Sequence, residues 1–168
     1  MARQEDKRDA LKMLAEDHRK VEELFEKYEN ARGPAAQAKI VRQICEELTI
    51  HALIEEQVFY PAVRAAVDED MMDEAQVEHD SAKGLILSLR DADPGDEYYD
   101  AKVSVLKEQV EHHVYEEERQ RGSIFAQARK ADIDLEGLGA EMAALKKQLQ
   151  AQAKSDELPA PEKIALRE

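Results

Sequence analysis

Apolar residues recur along this chain at alternating three- and four-residue steps in four long segments, the spacing of one inward helix face. The first spans about residues 8–31, with Leu11, Leu14, His18, Val21, Phe25 and Tyr28 on the stripe. The second spans about 36–67, with Ile44, Leu48, His51, Glu55, Val58 and Ala62. The third spans about 70–90, with Met72, Ala75, His79, Ala82, Ile86 and Leu89. The fourth spans about 97–130, with Val103, Leu106, Val110, His113, Glu117, Ile124 and Ala128. "RGP" at 32–34 and "DADPGD" at 91–96 interrupt the pattern, as glycine and proline end helices. Pro61 lies inside the second segment and is expected to kink that helix or end it early.

Short connections between long helices predict antiparallel neighbours, hence an all-α, up-down-up-down four-helix bundle. A further stripe, Leu135, Leu138, Met142, Leu145 and Leu149, predicts a short fifth helix. It caps or flanks the bundle, or pairs with a second copy of the chain. The last residues mix charge with two prolines and read as a loose tail. The expected organisation is therefore a bundle over 1–130, an accessory helix over 131–153 and a flexible tail over 154–168.

Composition sharpens this picture in three places. The net charge of −14 argues against nucleic acid, and against an anionic membrane surface, as partners held by a basic face. No apolar run approaches the roughly 20 residues of a membrane span, and the start "MARQEDKRDALKML" lacks the apolar core of a signal peptide. A cytoplasmic protein is the expectation. Cys45 is the single cysteine, so no intrachain disulfide forms, and its place beside Ile44 and Leu48 reads as a small core residue.

The polar exceptions on the stripes carry the chemistry. Every helix puts one histidine on its inward face, and helices two and four add a glutamate one turn later. The order His, then His-x-x-x-Glu, occurs twice at nearly equal spacing. A lone inward histidine is ordinarily a core residue bonded to a carbonyl or carboxylate. His51–Glu55 and His113–Glu117 also suit internal i,i+4 ion pairs, the reading of a plain helical scaffold. Four imidazoles and two carboxylates buried together are another matter, because desolvation outweighs pairing unless geometry is near ideal. A pair of metal ions removes that cost. With no thiolate, the set points away from structural zinc and copper(I). Its nitrogen content makes it poor for magnesium or calcium. Two iron ions are the best match, with manganese or zinc as rivals. The residues three before the five histidines are Ala15, Leu48, Gln76, Gln109 and Val110, so the Glu-x-x-His motif of ferritin-like di-iron bundles is absent. So is the His-Glu-x-x-His motif of zinc proteases.

The stretches "DHRKVEELF", "HALIEEQVFYP", "EHDSAKGLI" and "EHHVYEEE" resemble the hemerythrin-like HHE cation-binding domain, over roughly residues 8–130. The resemblance implies a four-helix bundle around a non-haem di-iron centre. It implies His18, His51, Glu55, His79, His113 and Glu117 as metal ligands, with Glu55 and Glu117 as candidate bridges. The expected function is to bind or reduce a small oxidant such as dioxygen, peroxide or nitric oxide, in sensing or oxidative-stress defence. The alternative is a non-catalytic metal-binding module for storage or signalling. His112 and Glu116 share the i,i+4 spacing of His113 and Glu117. His113 is preferred because it continues the stripe of Leu106 and Val110, and a pairing of His112 with Glu117 would require a π-bulge. Glu56 is read as solvated or as a support behind the ligands.

Two departures from the family pattern stand out. Lys83 occupies the place where oxygen-carrying hemerythrins have a further histidine, which counts against simple reversible oxygen carriage. The stretch "ERQRGSIFAQAR" carries about three extra residues and no proline, putting Arg119 and Arg121 where apolar residues would flank the metal.

Overall fold

The computed structural model describes residues 8–167. The reading of the first seven residues, and the outer limits of the first and last expected segments, lie outside the described residues. Every regular element among them is helical: α1 (Ala10–Asn30), α2 (Pro34–Ile54), α3 (Tyr60–Val63), α4 (Glu69–Leu89), α5 (Tyr99–Val114), α6 (Ile124–Lys130) and α7 (Leu135–Lys154). α1 and α2 form one hairpin, α4 and α5 the other, and α2 packs against α4 to join them. The result is the antiparallel four-helix bundle that the short connections predict.

Local chemistry sets where the helices start. Asp9, Asp68, Ser123 and Asp134 each accept a bond from the backbone N–H three residues on, at 2.8, 3.1, 3.1 and 2.9 Å. Each satisfies an amide that the helix leaves unpaired. Pro34 opens α2, where its missing N–H costs nothing, after Gly33 turns the chain at φ 91°.

Two π-helical turns were not legible in the periodicity. Glu55–Phe59 links α2 to α3, and Tyr115–Arg119 extends α5. In each, a backbone N–H reaches back five residues, Tyr60 to Glu55 and Gln120 to Tyr115. The extra residue per turn shifts the inward face by one. Ala62, expected on the stripe, is exposed, and Phe59 and Val63 are buried instead. Past Pro61 the helix survives only to Val63 and closes in a 3₁₀ turn, Arg64–Ala66. The fourth segment is also not one helix. Gln120 is extended and Gly122 takes φ 74°, after which Ser123 caps the new helix α6.

The buried apolar side chains form two clusters. One gathers Leu11, Leu14, Ile54, Phe59, Met72 and Phe125 with Leu138 and Met142 of α7. The other gathers Val21, Phe25, Ile44, Ile86, Leu89 and Leu106, with Cys45 among them. Burial pushes the Cys45 thiol up to about 12, as suits a packed, inert cysteine.

α7 flanks the bundle, lying on α1 and α2, with Leu138, Met142 and Leu149 facing inward. The expected loose tail is instead tied to α4. Buried Asp80 accepts the backbone N–H groups of Ile164, Ala165 and Leu166 at 2.9, 2.6 and 2.7 Å. Buried Lys83 donates to the Glu162 carbonyl at 2.7 Å. Charged groups removed from water require such partners, and the tail backbone supplies them. No described helix is long and apolar enough to cross a membrane.

The docking of α7 turns on one glycine. A Cβ at Gly139 would lie 2.8 Å from the Arg8 carbonyl oxygen and 3.0 Å from the Ala10 nitrogen. Both are backbone atoms and cannot swing aside. Gly139→Ala is expected to lower stability by about 1–3 kcal/mol, read from the midpoint of urea unfolding. An unchanged midpoint would contradict this close approach.

Candidate metal centre

Between the two apolar clusters, all four helices of the bundle turn polar side chains inward. His18, His51 and His79 are buried, Glu55 and Glu117 are fully buried, and His113 is nearly so. The six residues singled out on the stripes meet at one place. Oxygen and nitrogen atoms of Glu55, His79, His113 and Glu117 lie within 4.8 Å of one another, as do those of His18, His51 and Glu117.

The geometry has an approximate twofold plan. His18 and His51 face each other with ring centres 4.9 Å apart, and His79 and His113 do so at 4.8 Å. Each glutamate spans the two pairs. Glu55 Oε1 lies 2.8 Å from His51 Nε2 and 3.4 Å from His79 Nε2. Glu117 lies 2.9 Å from His113 Nε2 through Oε2 and 3.6 Å from His18 Nε2 through Oε1. These approaches are not all hydrogen bonds. His18 Nε2, His51 Nε2, both Glu55 oxygens and Glu117 Oε1 are buried with no hydrogen-bond partner. The two Nε2 atoms of His79 and His113 lie 3.3 Å apart. Lone pairs aimed at one another in this way need a shared cation or a proton between them.

The outward-facing nitrogens explain why the rings point inward. His51 Nδ1 is 3.1 Å from Asp17, His79 Nδ1 is 3.0 Å from Glu56, and His18 Nδ1 is 2.9 Å from Glu118. His113 Nδ1 is 3.6 Å from Glu78. Each carboxylate comes from the preceding segment in one circuit: α1 to α2, the π turn after α2 to α4, α4 to α5, and the α5 extension back to α1. At His51, His79 and His18 the carboxylate on Nδ1 fixes the tautomer that leaves Nε2 free to act as a ligand, whereas His113 Nδ1 makes no hydrogen bond. Sequence reasoning flagged Glu56 but missed Asp17, Glu78 and Glu118. A signal was present, since each follows or precedes a core residue in the chain: Asp17–His18, Glu55–Glu56, Glu78–His79 and Glu117–Glu118. Tyr60 was missed as well. Its hydroxyl donates to Glu117 at 2.7 Å and lies 3.1 Å from His79 Nε2.

His112 is 64% exposed and pairs with Glu116 at 3.1 Å, outside the core. Lys83 is buried but turns to Glu56 at 2.7 Å, behind the His79 ring. Arg119 and Arg121 do not flank the buried groups. Arg119 is bound to Glu22 at 2.8 Å, and Arg121 is exposed. The break at 120–123 throws both outward and returns Phe125 to the core. There Phe125 stacks on His18 at 5.9 Å and meets Phe59 edge-on.

Electrostatics follow from the crowding. Burial alone would lower the His51 pKa, but Glu55 and Asp17 outweigh it and raise it to about 10. Burial is likewise outweighed at His79, by Glu55 and Glu56, and at His113, by Glu117 and Glu78, so both are raised. Glu55 is held well below its usual value against its own burial, chiefly by His51. Carboxylates thus hold His51, His79 and His113 above the ordinary histidine value in spite of their burial.

Three comparisons with known proteins bear on this site. The hemerythrin HHE cation binding domain family matches residues 9–122. A DNA nickase from Nostoc sp. is 32% identical over 113 residues, 67% of this chain and 31% of that protein. The chain thus spans about a third of that relative's length. A crystal structure of a hemerythrin HHE cation binding domain-containing protein from Mycobacterium kansasii superposes with a TM-score of 0.72. That match covers 89% of this chain and 94% of the other at 24% identity, which shows a shared fold.

Raised histidine pKa values give a signed pH prediction for the metal-stripped protein. The unfolded value is about 6.5, so the stabilisation from His51 is complete below that pH and is lost as pH rises through about 10. The depressed carboxylates Asp17 and Glu56 act only at lower pH, where stability falls as they protonate. Urea midpoints of the stripped protein should therefore drop between pH 7 and pH 10, and Asp17→Asn should shallow that drop. A midpoint that rises over the interval would contradict the charged-imidazole core.

Proposed function

Since the chain belongs to the hemerythrin HHE cation-binding family, we propose that its core holds a non-haem pair of iron ions and that it binds or reduces a small oxidant. The ligands would be the Nε2 atoms of His18, His51, His79 and His113 with the carboxylates of Glu55 and Glu117. The reading rests on one observation above all. Four buried imidazoles have their outer nitrogens faced by carboxylates, while buried inner atoms stand without hydrogen-bond partners. Neutral nitrogen and carboxylate oxygen suit iron, with manganese and zinc as rivals.

Iron in such a donor set supplies Lewis acidity and one-electron chemistry toward dioxygen, peroxide or nitric oxide. The protein's own part is to hold, orient and exclude water. Glu55 and Glu117 each reach both histidine pairs, so each is placed to bridge. Beside the histidines lies a small cavity walled by Val21, Leu48, Ala52, Ala82, Ile86 and Val110. Its apolar wall suits an uncharged diatomic or peroxide molecule and keeps bulk water away. The Tyr60 hydroxyl, bound to Glu117, places one proton donor at the ligand cluster. Lys83 fills the position of a further histidine and is bound to Glu56, so two histidines would face each ion. A set with one histidine fewer would leave room at an ion for an oxidant, which supports reaction over plain reversible carriage.

The Nostoc relative's name does not extend the proposal to DNA. The match covers under a third of that protein, and a chain of net charge −14 repels phosphate.

Elemental analysis after anaerobic reconstitution should find about two iron ions per chain. His51→Ala should lower that content at least twofold and destabilise the loaded protein. The iron-loaded protein should consume peroxide through many turnovers. Retained iron without turnover would favour storage or signalling, and no retained metal at all would overturn the reading.

A further inference from the structure

The four carboxylates behind the histidines are not equally provided for. Asp17 is bound by Lys146 at 2.5 Å, Glu56 by Lys83 at 2.7 Å, and Glu118 by Arg19 at 2.6 Å. Each therefore has a basic side chain on its outer side, which balances its charge and holds its position. Glu78 breaks the pattern. No lysine or arginine pairs with it among the described residues, and its Oε2 is buried without a hydrogen-bond partner. Two histidine nitrogens approach it instead, His113 Nδ1 at 3.6 Å and His112 Nε2 at 3.8 Å.

What stands beside Glu78 is more negative charge and a nitrogen donor. Glu116 lies 3.1 Å from His112 Nε2. Single donor atoms of Glu78, His112 and Glu116 fall within 4.8 Å of one another. Glu78 of α4 and Glu116 of the α5 extension line a small cleft with Glu74 and Gln120, and exposed His112 of α5 stands beside them. The cleft runs inward to Glu117, whose side chain is 0% exposed and whose Oε1 has no hydrogen-bond partner. A half-open His-Glu-Glu cluster thus lacks the basic side chain that its three counterparts possess.

We propose that Glu78, His112 and Glu116 form an outer binding site for one divalent transition-metal ion. The ion takes the place that Lys146, Lys83 and Arg19 hold at the other three corners. One imidazole nitrogen with two carboxylates suits iron(II), cobalt(II) or zinc, and is poor for magnesium and calcium, which prefer all-oxygen sites. The site is open on its outer side, so water completes the coordination and exchange is fast. Glu78 also faces His113, so an ion there touches the support of a core histidine.

The test is equilibrium dialysis of the full chain against cobalt(II), comparing wild type with the double variant His112→Ala/Glu116→Gln. His112 is exposed and Glu116 half-buried, and neither packs in the core, so the variant should fold. Circular dichroism and the urea midpoint check that it does. The wild type should hold about one cobalt ion per chain more than the variant. Added magnesium in tenfold excess over cobalt should leave that difference intact. Equal cobalt counts would overturn the outer site, as would loss of the difference to magnesium. A difference of one ion on a wild-type total of only one would uphold the outer site while counting against the core pair.

Discussion

Four imidazoles face one another in a space sealed at both ends by hydrocarbon, and each is addressed from behind by a carboxylate of a neighbouring helix. The rest of the structure answers to that constraint. Imidazoles and carboxylates gathered away from water are costly unless every lone pair and every proton has a place. Three outer nitrogens are hydrogen-bonded by Asp17, Glu56 and Glu118, and the fourth, on His113, faces Glu78 at 3.6 Å without a hydrogen bond. Among the inner atoms, Tyr60 serves Glu117 Oε2 and His79 Nε2, while His18 Nε2, His51 Nε2, both Glu55 oxygens and Glu117 Oε1 have no hydrogen-bond partner. A bundle that organises its polar atoms in this way is built around positive charge, whether brought by protons or by metal.

The circuit also accounts for features that look unrelated. The two π turns fall at the paired glutamates, Glu55–Glu56 and Glu117–Glu118. In both, one member turns into the core while its neighbour reaches the histidine of the next helix. A π turn narrows the rotation between neighbours relative to an α-helix, which suits two adjacent carboxylates that must face nearly the same way. α7 and the carboxy-terminal segment, outside the bundle proper, are connected to the same centre. α7 brings Lys146 to Asp17, and the segment at 162–166 holds Lys83 and Asp80 beside Glu56.

The bundle, its helix order and the six central residues were legible because each rests on local periodicity. A histidine on an apolar stripe must point inward wherever the helix is regular. What was hidden depends on the backbone leaving that regularity or on contacts across helices. The shift from Ala62 to Val63 follows from the π turn, which carries no strong residue signature. The return of Phe125 to the core follows from Gly122 and Ser123, which read as a break but not as a direction. The supports of the histidines come from other helices, so no spacing within one helix reveals them. The carboxy-terminal segment looked loose because its charge and prolines suit a tail, while its anchor, Asp80, is a buried acid on a distant helix.

The central claim is that the inner nitrogens of His18, His51, His79 and His113 together ligate a pair of metal ions. X-ray absorption at the iron edge of the reconstituted protein addresses it directly, because imidazole rings give a characteristic multiple-scattering pattern. The account predicts a signal fitted by about two imidazoles per iron, together with an iron–iron contribution. Glu55→Ala and Glu117→Ala should weaken the iron–iron contribution before the imidazole signal. Iron bound by oxygen donors alone, with no imidazole pattern, would contradict the account.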